Sequence, residues 1–95
     1  MALDTAHVLT PPPELDISSA PYLGAAILDS LLRGERKLVL DFAGVQLVDS
    51  AGIGVLLSAE RRVRSAGGEL VVANVSDHVR DVFELTGVAR SLTLA

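Results

Sequence analysis

Two short runs, "KLVLD" at residues 37–41 and "ELVVANV" at residues 69–75, concentrate branched apolar residues with little alternation, and a stretch of helical spacing separates them. Runs of this kind suit central strands covered on both faces. In the stretch between them, Ile53, Leu56, Leu57, Glu60 and Val63 keep helical spacing, and Gly67 and Gly68 end it. The same alternation continues outward. In "SSAPYLGAAILDSLLRG", Ser18 or Ser19 is placed to cap a helix and Pro21 suits its first turn. Leu23, Ile27 and Leu31 recur every four residues there, Leu28 and Leu32 widen the stripe, and Gly34 stops it. In "SDHVRDVFELTGV", Ser76 reads as an N-cap, Val79, Val82, Phe83 and Thr86 as an apolar stripe, and Gly87 as the end. "AHVLTPPPELD" at the start and "RSLTLA" at the end each hold one short strand. The order βαβαβαβ predicts an α/β fold: a small mixed or mostly parallel sheet joined by right-handed crossovers and covered by three to four helices. Residues 1–95 read as a single domain, and Pro11, Pro12 and Pro13 confine the strand within residues 1–13 to a short edge position.

Composition narrows what such a fold does. With 95 residues, 49% of them apolar, the chain buries one core. Only 3% are aromatic, so Leu, Val, Ile and Ala must fill that core. A net charge of −4 and few aromatic rings weigh against nucleic acid as a partner, because phosphate backbones want a basic face and single strands want stacking platforms. Cysteine is absent, and His7 and His78 lie far apart, so thiol chemistry, a metal site and a bound cofactor are not expected. The carboxylates Asp4, Asp16, Asp29, Asp41 and Asp49 are scattered along the chain. No apolar run approaches the roughly 20 residues that span a bilayer, and nothing near the start resembles a signal peptide. The expectation is a cytoplasmic domain with no direct membrane insertion.

The stretch that composition does not explain is "VDSAGIG", Val48 to Gly54, where a strand gives way to a helix. Loops at such strand ends are where α/β folds build sites. Asp and Ser are both good N-caps, so Ser50 has a purely structural reading. Gly52 and Gly54 do not fit that reading, since each glycine in a helix costs about 1 kcal/mol relative to alanine. Bare backbone there implies close approach by a partner or by another element of the fold. Catalysis fits less well. A nucleophile elbow needs glycine two residues before the serine, where this chain has Val48. No histidine is placed as a base, and a phosphate-binding P-loop would need a longer loop and a lysine.

From Leu38 to Val88 the order and spacing of motifs resemble the STAS domain family, specifically the bacterial anti-sigma factor antagonists. The matching features are a strand ending in Asp41, the Asp49-Ser50 pair, Gly52-Ile53-Gly54, a helix, Gly67-Gly68-Glu69, a strand, and a helix ending at Thr86-Gly87. "ELD" at Glu14 to Asp16 resembles the family's Gly-Glu-Leu-Asp turn, with Pro13 in place of the glycine. The resemblance implies a binding regulator, not an enzyme. It makes Ser50 the acceptor of phosphate from an anti-sigma factor that is also a serine kinase of the histidine-kinase-like ATPase type. The unphosphorylated form would bind that kinase and free a sigma factor, phosphorylation would release it, and a phosphoserine phosphatase would reset it. Asp49 would cap the helix or assist the kinase, and Asp16 would meet a basic residue of the partner. Ala51 and Ile53 would offer small contacts, and Gly52 and Gly54 clearance.

Two other roles carry the same motif: a cytosolic STAS subunit of an ABC-type lipid transport system, and a stressosome-like scaffold subunit. The clipped first strand also leaves room for a homodimer.

Overall fold

A computed structural model describes residues 6–95. Four parallel strands form the main sheet in the order β1, β3, β5, β6, where β1 is His7–Leu9, β3 Lys37–Asp41, β5 Glu69–Ala73 and β6 Thr93–Leu94. Two further strands, β2 (Glu14–Leu15) and β4 (Leu47–Val48), pair with each other in a separate parallel ribbon. The helices are α1 (Ala20–Leu32), α2 (Ser50–Ser65) and α3 (Asp77–Leu85), followed by a 3-10 turn at Val88–Arg90. Along the main sheet the sequence thus alternates strand and helix as its periodicity requires. Every described strand pair is parallel. His7 lies within β1, in register with Leu38, and Pro11 to Pro13 follow that edge strand where no ladder amide is needed.

The central strands differ from the expectation of two covered faces. In β3, Leu38 and Leu40 are fully buried while Val39 is only half-buried, and in β5 Leu70 and Val72 are buried while Val71 is half-buried. Both strands therefore have one core face, and the continuous apolar run hides a real alternation. Leu23, Ile27 and Leu31 of α1, Leu56 and Val63 of α2, and Val79 and Phe83 of α3 fill the core. Phe83 meets Phe42 with ring centroids 6.2 Å apart and planes tilted by 53°, within the range of favourable aromatic pairs.

Three details of the helices correct the periodic reading. Leu28 and Leu32 are exposed, so α1 buries a narrow stripe. Thr86 is the exposed C-cap of α3, its hydroxyl donating to the Val82 carbonyl at 2.7 Å, and it does not join the apolar stripe. Ser19 occupies the N-cap position of α1 but makes no capping bond, because its hydroxyl turns back to donate to the Glu14 carbonyl at 2.7 Å. Ser76 does cap α3, accepting from the Val79 amide at 3.2 Å. Gly34, Gly67 and Gly87 follow the three helices with φ of 95°, 82° and 79°, the left-handed region where glycine carries no penalty.

Candidate functional site: the serine at the start of helix α2

The loop that carries Ser50 leaves β4 of the ribbon, not a strand of the main sheet. Glu14 is in register with Leu47 and Leu15 with Val48, and the Asp49 amide donates to the Leu15 carbonyl at 3.2 Å. One step beyond the paired residues, the chain delivers Asp16 on one side and Asp49 on the other. The ribbon is therefore the device that brings Asp16 to the start of α2 across 33 residues of sequence (49 − 16).

Asp49 is the N-cap. Its Oδ1 accepts from the Ala51 amide at 2.9 Å and the Gly52 amide at 3.1 Å, while its carbonyl takes the Ile53 amide at 2.9 Å. Asp49 has extended backbone (φ −100°, ψ −171°), as an N-cap requires. Ser50 is consequently the first helical residue, exposed, and its hydroxyl takes no part in the cap. This separates two readings that the sequence left joined: the aspartate does the capping and the serine is left to the solvent.

The two glycines also separate. A Cβ on Gly52 would lie 2.4 Å from the Leu15 carbonyl oxygen and 2.9 Å from Cγ1 of Val48. Gly52 is buried and its bare backbone admits the ribbon. The clearance at that position is used within the fold. Gly54 is exposed, and a Cβ there would meet nothing within 4 Å. Ala51 is half-buried, and Ile53 is half-buried and packed against the core, so each presents only part of itself outward.

Asp16 is half-buried and organises the turn before α1. Its Oδ1 accepts from the Ser18 amide at 2.9 Å and the Ser19 amide at 3.2 Å, and its own amide donates to the Ser19 hydroxyl at 3.0 Å. Next to it, Ile17 is 76% exposed, and Leu47 on β4 is 44% exposed. Leu47 does not stand out in sequence, because it sits in an apolar run just before buried Val48, and Ile17 is a single apolar residue between Asp16 and Ser18. The alternation of exposed Leu47 with buried Val48 is the signal for Leu47, and no periodicity points to Ile17.

At the end of β3, Asp41 accepts from Nδ2 of Asn74 and from the Ala43 amide, both at 3.0 Å. The Asn74 amide first, and then the Ala43 amide, hold its carboxyl below the ordinary value of 3.8. Asn74 itself has φ of 59°, a conformation asparagine tolerates better than most residues. Asp4 lies outside the described residues. Among the described residues no group of three His, Cys, Asp or Glu could hold a metal ion, and no helix is long and apolar enough to cross a membrane.

Comparison with known proteins adds to this geometry. Residues 2–95 match the STAS domain family. BtrV of Bordetella bronchiseptica, a candidate anti-sigma factor antagonist, is 37% identical over 70 residues, which are 74% of this chain and 60% of that protein. The chain thus spans less than two thirds of that relative. The anti-sigma-B factor antagonist of Staphylococcus aureus is 28% identical over 75 residues, 79% of this chain and 69% of that protein. The crystal structure of TM1081 from Thermotoga maritima, another candidate anti-sigma factor antagonist, superposes with a TM-score of 0.87 at 27% identity, covering 96% of this chain and 79% of that one.

Proposed function

This chain belongs to the STAS domain family, and we propose that within it the chain acts as an anti-sigma factor antagonist switched by phosphorylation of Ser50. The observation that carries the proposal is the division of labour at the start of α2. Asp49 holds the Ala51 and Gly52 amides, so the fold needs nothing from the Ser50 hydroxyl, which stands exposed at the end of the ribbon whose strands lead to Asp16 and Ile17 and carry Leu47. The names of the relatives, two of them candidate antagonists and one an antagonist, support the same reading.

In this role the unmodified domain docks on an anti-sigma factor and frees a sigma factor in the cytoplasm. Ile17 and Leu47 supply apolar contact, Gly54 lets the partner's backbone come close, and Asp16 meets a basic group. The anti-sigma factor, a serine kinase of the histidine-kinase-like ATPase type, transfers phosphate to the Ser50 hydroxyl, and a phosphoserine phosphatase removes it. The modified residue carries about −1.5 to −2 of charge. The helix dipole tolerates an anion at this end. Two first-turn amides are already taken by Asp49, however, so the phosphate is directed outward instead of folding onto the helix. It must then be desolvated in a packed interface, where any facing carboxylate repels it. Release follows from local charge and needs no change of fold.

The test is phosphate transfer and binding with a cognate kinase and ATP. Mass spectrometry is expected to map phosphate to Ser50. Ser50→Ala should bind the anti-sigma factor as tightly as the native chain and stay bound in ATP, while Ser50→Asp should bind about tenfold more weakly, or about 1.4 kcal/mol. Phosphate found elsewhere while Ser50 stays unmodified, or equal binding by both variants, overturns the switch.

A further inference from the structure

The positive charge of this chain gathers toward the far end of α2 from Ser50, about 16 to 21 Å along the helix axis at 1.5 Å per residue. Leu57, Glu60, Arg61 and Arg64 stand at i, i+3, i+4 and i+7, so they share one helix face. With Arg90 and Ser91, at the end of the 3-10 turn, they line a cavity of about 450 Å³. Three of the eight Lys and Arg residues meet there, in a chain whose net charge is −4.

The wall of the cavity holds an incomplete hydrogen-bond set. Glu60 is 8% exposed, and its Oε2 accepts from Nε of Arg64 at 3.1 Å and from Nη2 of the same guanidinium. Its other oxygen, Oε1, is buried and has no partner among the described residues. Buried carboxylate oxygens are normally satisfied, so an orphan of this kind marks a missing donor. Ion pairs among the described residues engage Arg33 and Arg64, but neither Arg61 nor Arg90.

We propose that this cavity binds a phosphate ester bearing a hydroxyl close to its phosphate. Arg61 and Arg90 offer planar forks that match phosphate oxygens, and the Ser91 hydroxyl adds a donor. Arg64 keeps its bonds to Oε2 and turns its remaining Nη1 donors to the phosphate, and a small shift of this exposed guanidinium opens Oε1, the oxygen without a donor, to the ligand's hydroxyl. The C-terminal end of a helix dipole disfavours an anion, which accounts for the use of three guanidiniums where a helix N-terminus would need fewer. The site is separate from Ser50 and stands whether or not Ser50 is phosphorylated.

The experiment is a titration followed by NMR, reading the arginine Nε–H and backbone amide signals of the intact chain. The probes are glycerol 3-phosphate and methyl phosphate. Saturable shifts at Arg61, Arg64, Arg90 and Ser91 are expected, with glycerol 3-phosphate bound about tenfold more tightly, the effect of one hydrogen bond to a charged group. Arg61→Gln and Arg90→Gln, both at exposed positions, should each weaken binding about fivefold or more while leaving the spectrum folded. Glu60→Gln should abolish the preference between the two esters, and Ser50→Asp should change nothing. Vesicles of phosphatidylglycerol present the same chemistry from a lipid: co-sedimentation lost in Arg90→Gln assigns a headgroup, and binding of the soluble ester alone assigns a metabolite. Shifts that fail to saturate, that spread equally to Arg33 and Arg36, or that survive Arg90→Gln overturn the site, and equal affinity for both esters in the native chain overturns the role of Glu60.

Discussion

The two ends of α2 are built on opposite terms. At its start the backbone is fitted to the ribbon: Gly52 has no room for a Cβ against Leu15, and Asp49 closes the first turn with two amide bonds. At its finish the side chains are long, charged and exposed, with Arg62 and Arg64 in the last turn and a left-handed Gly67 beyond it. Both ends place charge as the helix dipole favours, acid first and base last. The difference is what each end does for stability. The start is fixed by its backbone's fit to the ribbon and leaves one side chain, that of Ser50, unused; the finish is anchored by Val63 in the core and turns its arginines to the solvent.

The strongest way to break that contrast is to add one methyl group at each of two glycines in the same helix turn. Gly52→Ala forces its Cβ to within 2.4 Å of a carbonyl oxygen that the ribbon cannot move, at a cost of about 3 kcal/mol or more. In thermal unfolding this should lower Tm by about 10 °C or more. Gly54→Ala meets nothing within 4 Å and should raise stability by about 0.5 to 1 kcal/mol, the helix preference for alanine. A similar response from both variants would mean that the ribbon does not constrain the start of α2. Gly54→Ala has a second reading: if a partner approaches Gly54 closely, the stabilised variant should bind the anti-sigma factor less well.

Next in size is the cap. Asp49→Ala removes the acceptor for the Ala51 and Gly52 amides and should cost about 1 kcal/mol, seen as a lower urea midpoint with an unchanged m-value. Asp49→Asn, which keeps an oxygen acceptor, should recover most of it. At the other end Glu60→Met removes a buried carboxylate whose Oε1 lacks a donor, together with an ion pair to an exposed arginine. Such pairs are worth about 0.5 kcal/mol or less, and the desolvated oxygen is a standing cost. Glu60→Met should therefore leave stability within about 0.5 kcal/mol of native or raise it. A loss as large as that of Asp49→Ala would show that the finish of α2 is as structural as the start.

Much of this architecture was legible in the residues. The alternation of strand and helix follows from "KLVLD", "ELVVANV" and the stripes of Leu23, Ile27, Leu31 and of Val79, Phe83, because burial of those residues is what makes the elements pack. The glycine stops were legible for the same kind of reason, since Gly34, Gly67 and Gly87 take a φ that other residues resist. The β2–β4 ribbon was not. Two-residue strands leave no periodicity, and their pairing is a tertiary fact that only the register of Glu14 with Leu47 reveals. For that reason "VDSAGIG" showed a special backbone without showing which glycine served the fold. Nor does a linear pattern tell which of two adjacent capping residues caps, so the exposure of Ser50 waited on the Asp49 bonds. The cavity around Glu60 was hidden too, since Arg61 and Arg64 become neighbours of Arg90 only when the 3-10 turn folds against α2.

The smallest effect lies outside both ends of the helix and serves as their control. Asp41 at the end of β3 has its carboxyl held below 3.8, by the Asn74 amide first and the Ala43 amide second. A carboxyl whose folded value is depressed contributes stability that is fully present above the unfolded value and is lost as pH falls through the folded one. The native chain should thus lose stability as pH drops below about 4, and Asp41→Asn should flatten that part of the curve and lower the neutral plateau by the same small amount. Asn74→Ala should flatten it partially, since the Ala43 amide still favours the ionised form. Urea melts at several pH values measure the slope directly. If Asp41→Asn left the acid limb as steep as in the native chain, the acid sensitivity would belong to other carboxylates, and the Asn74 and Ala43 bonds to Asp41 would have no part in it.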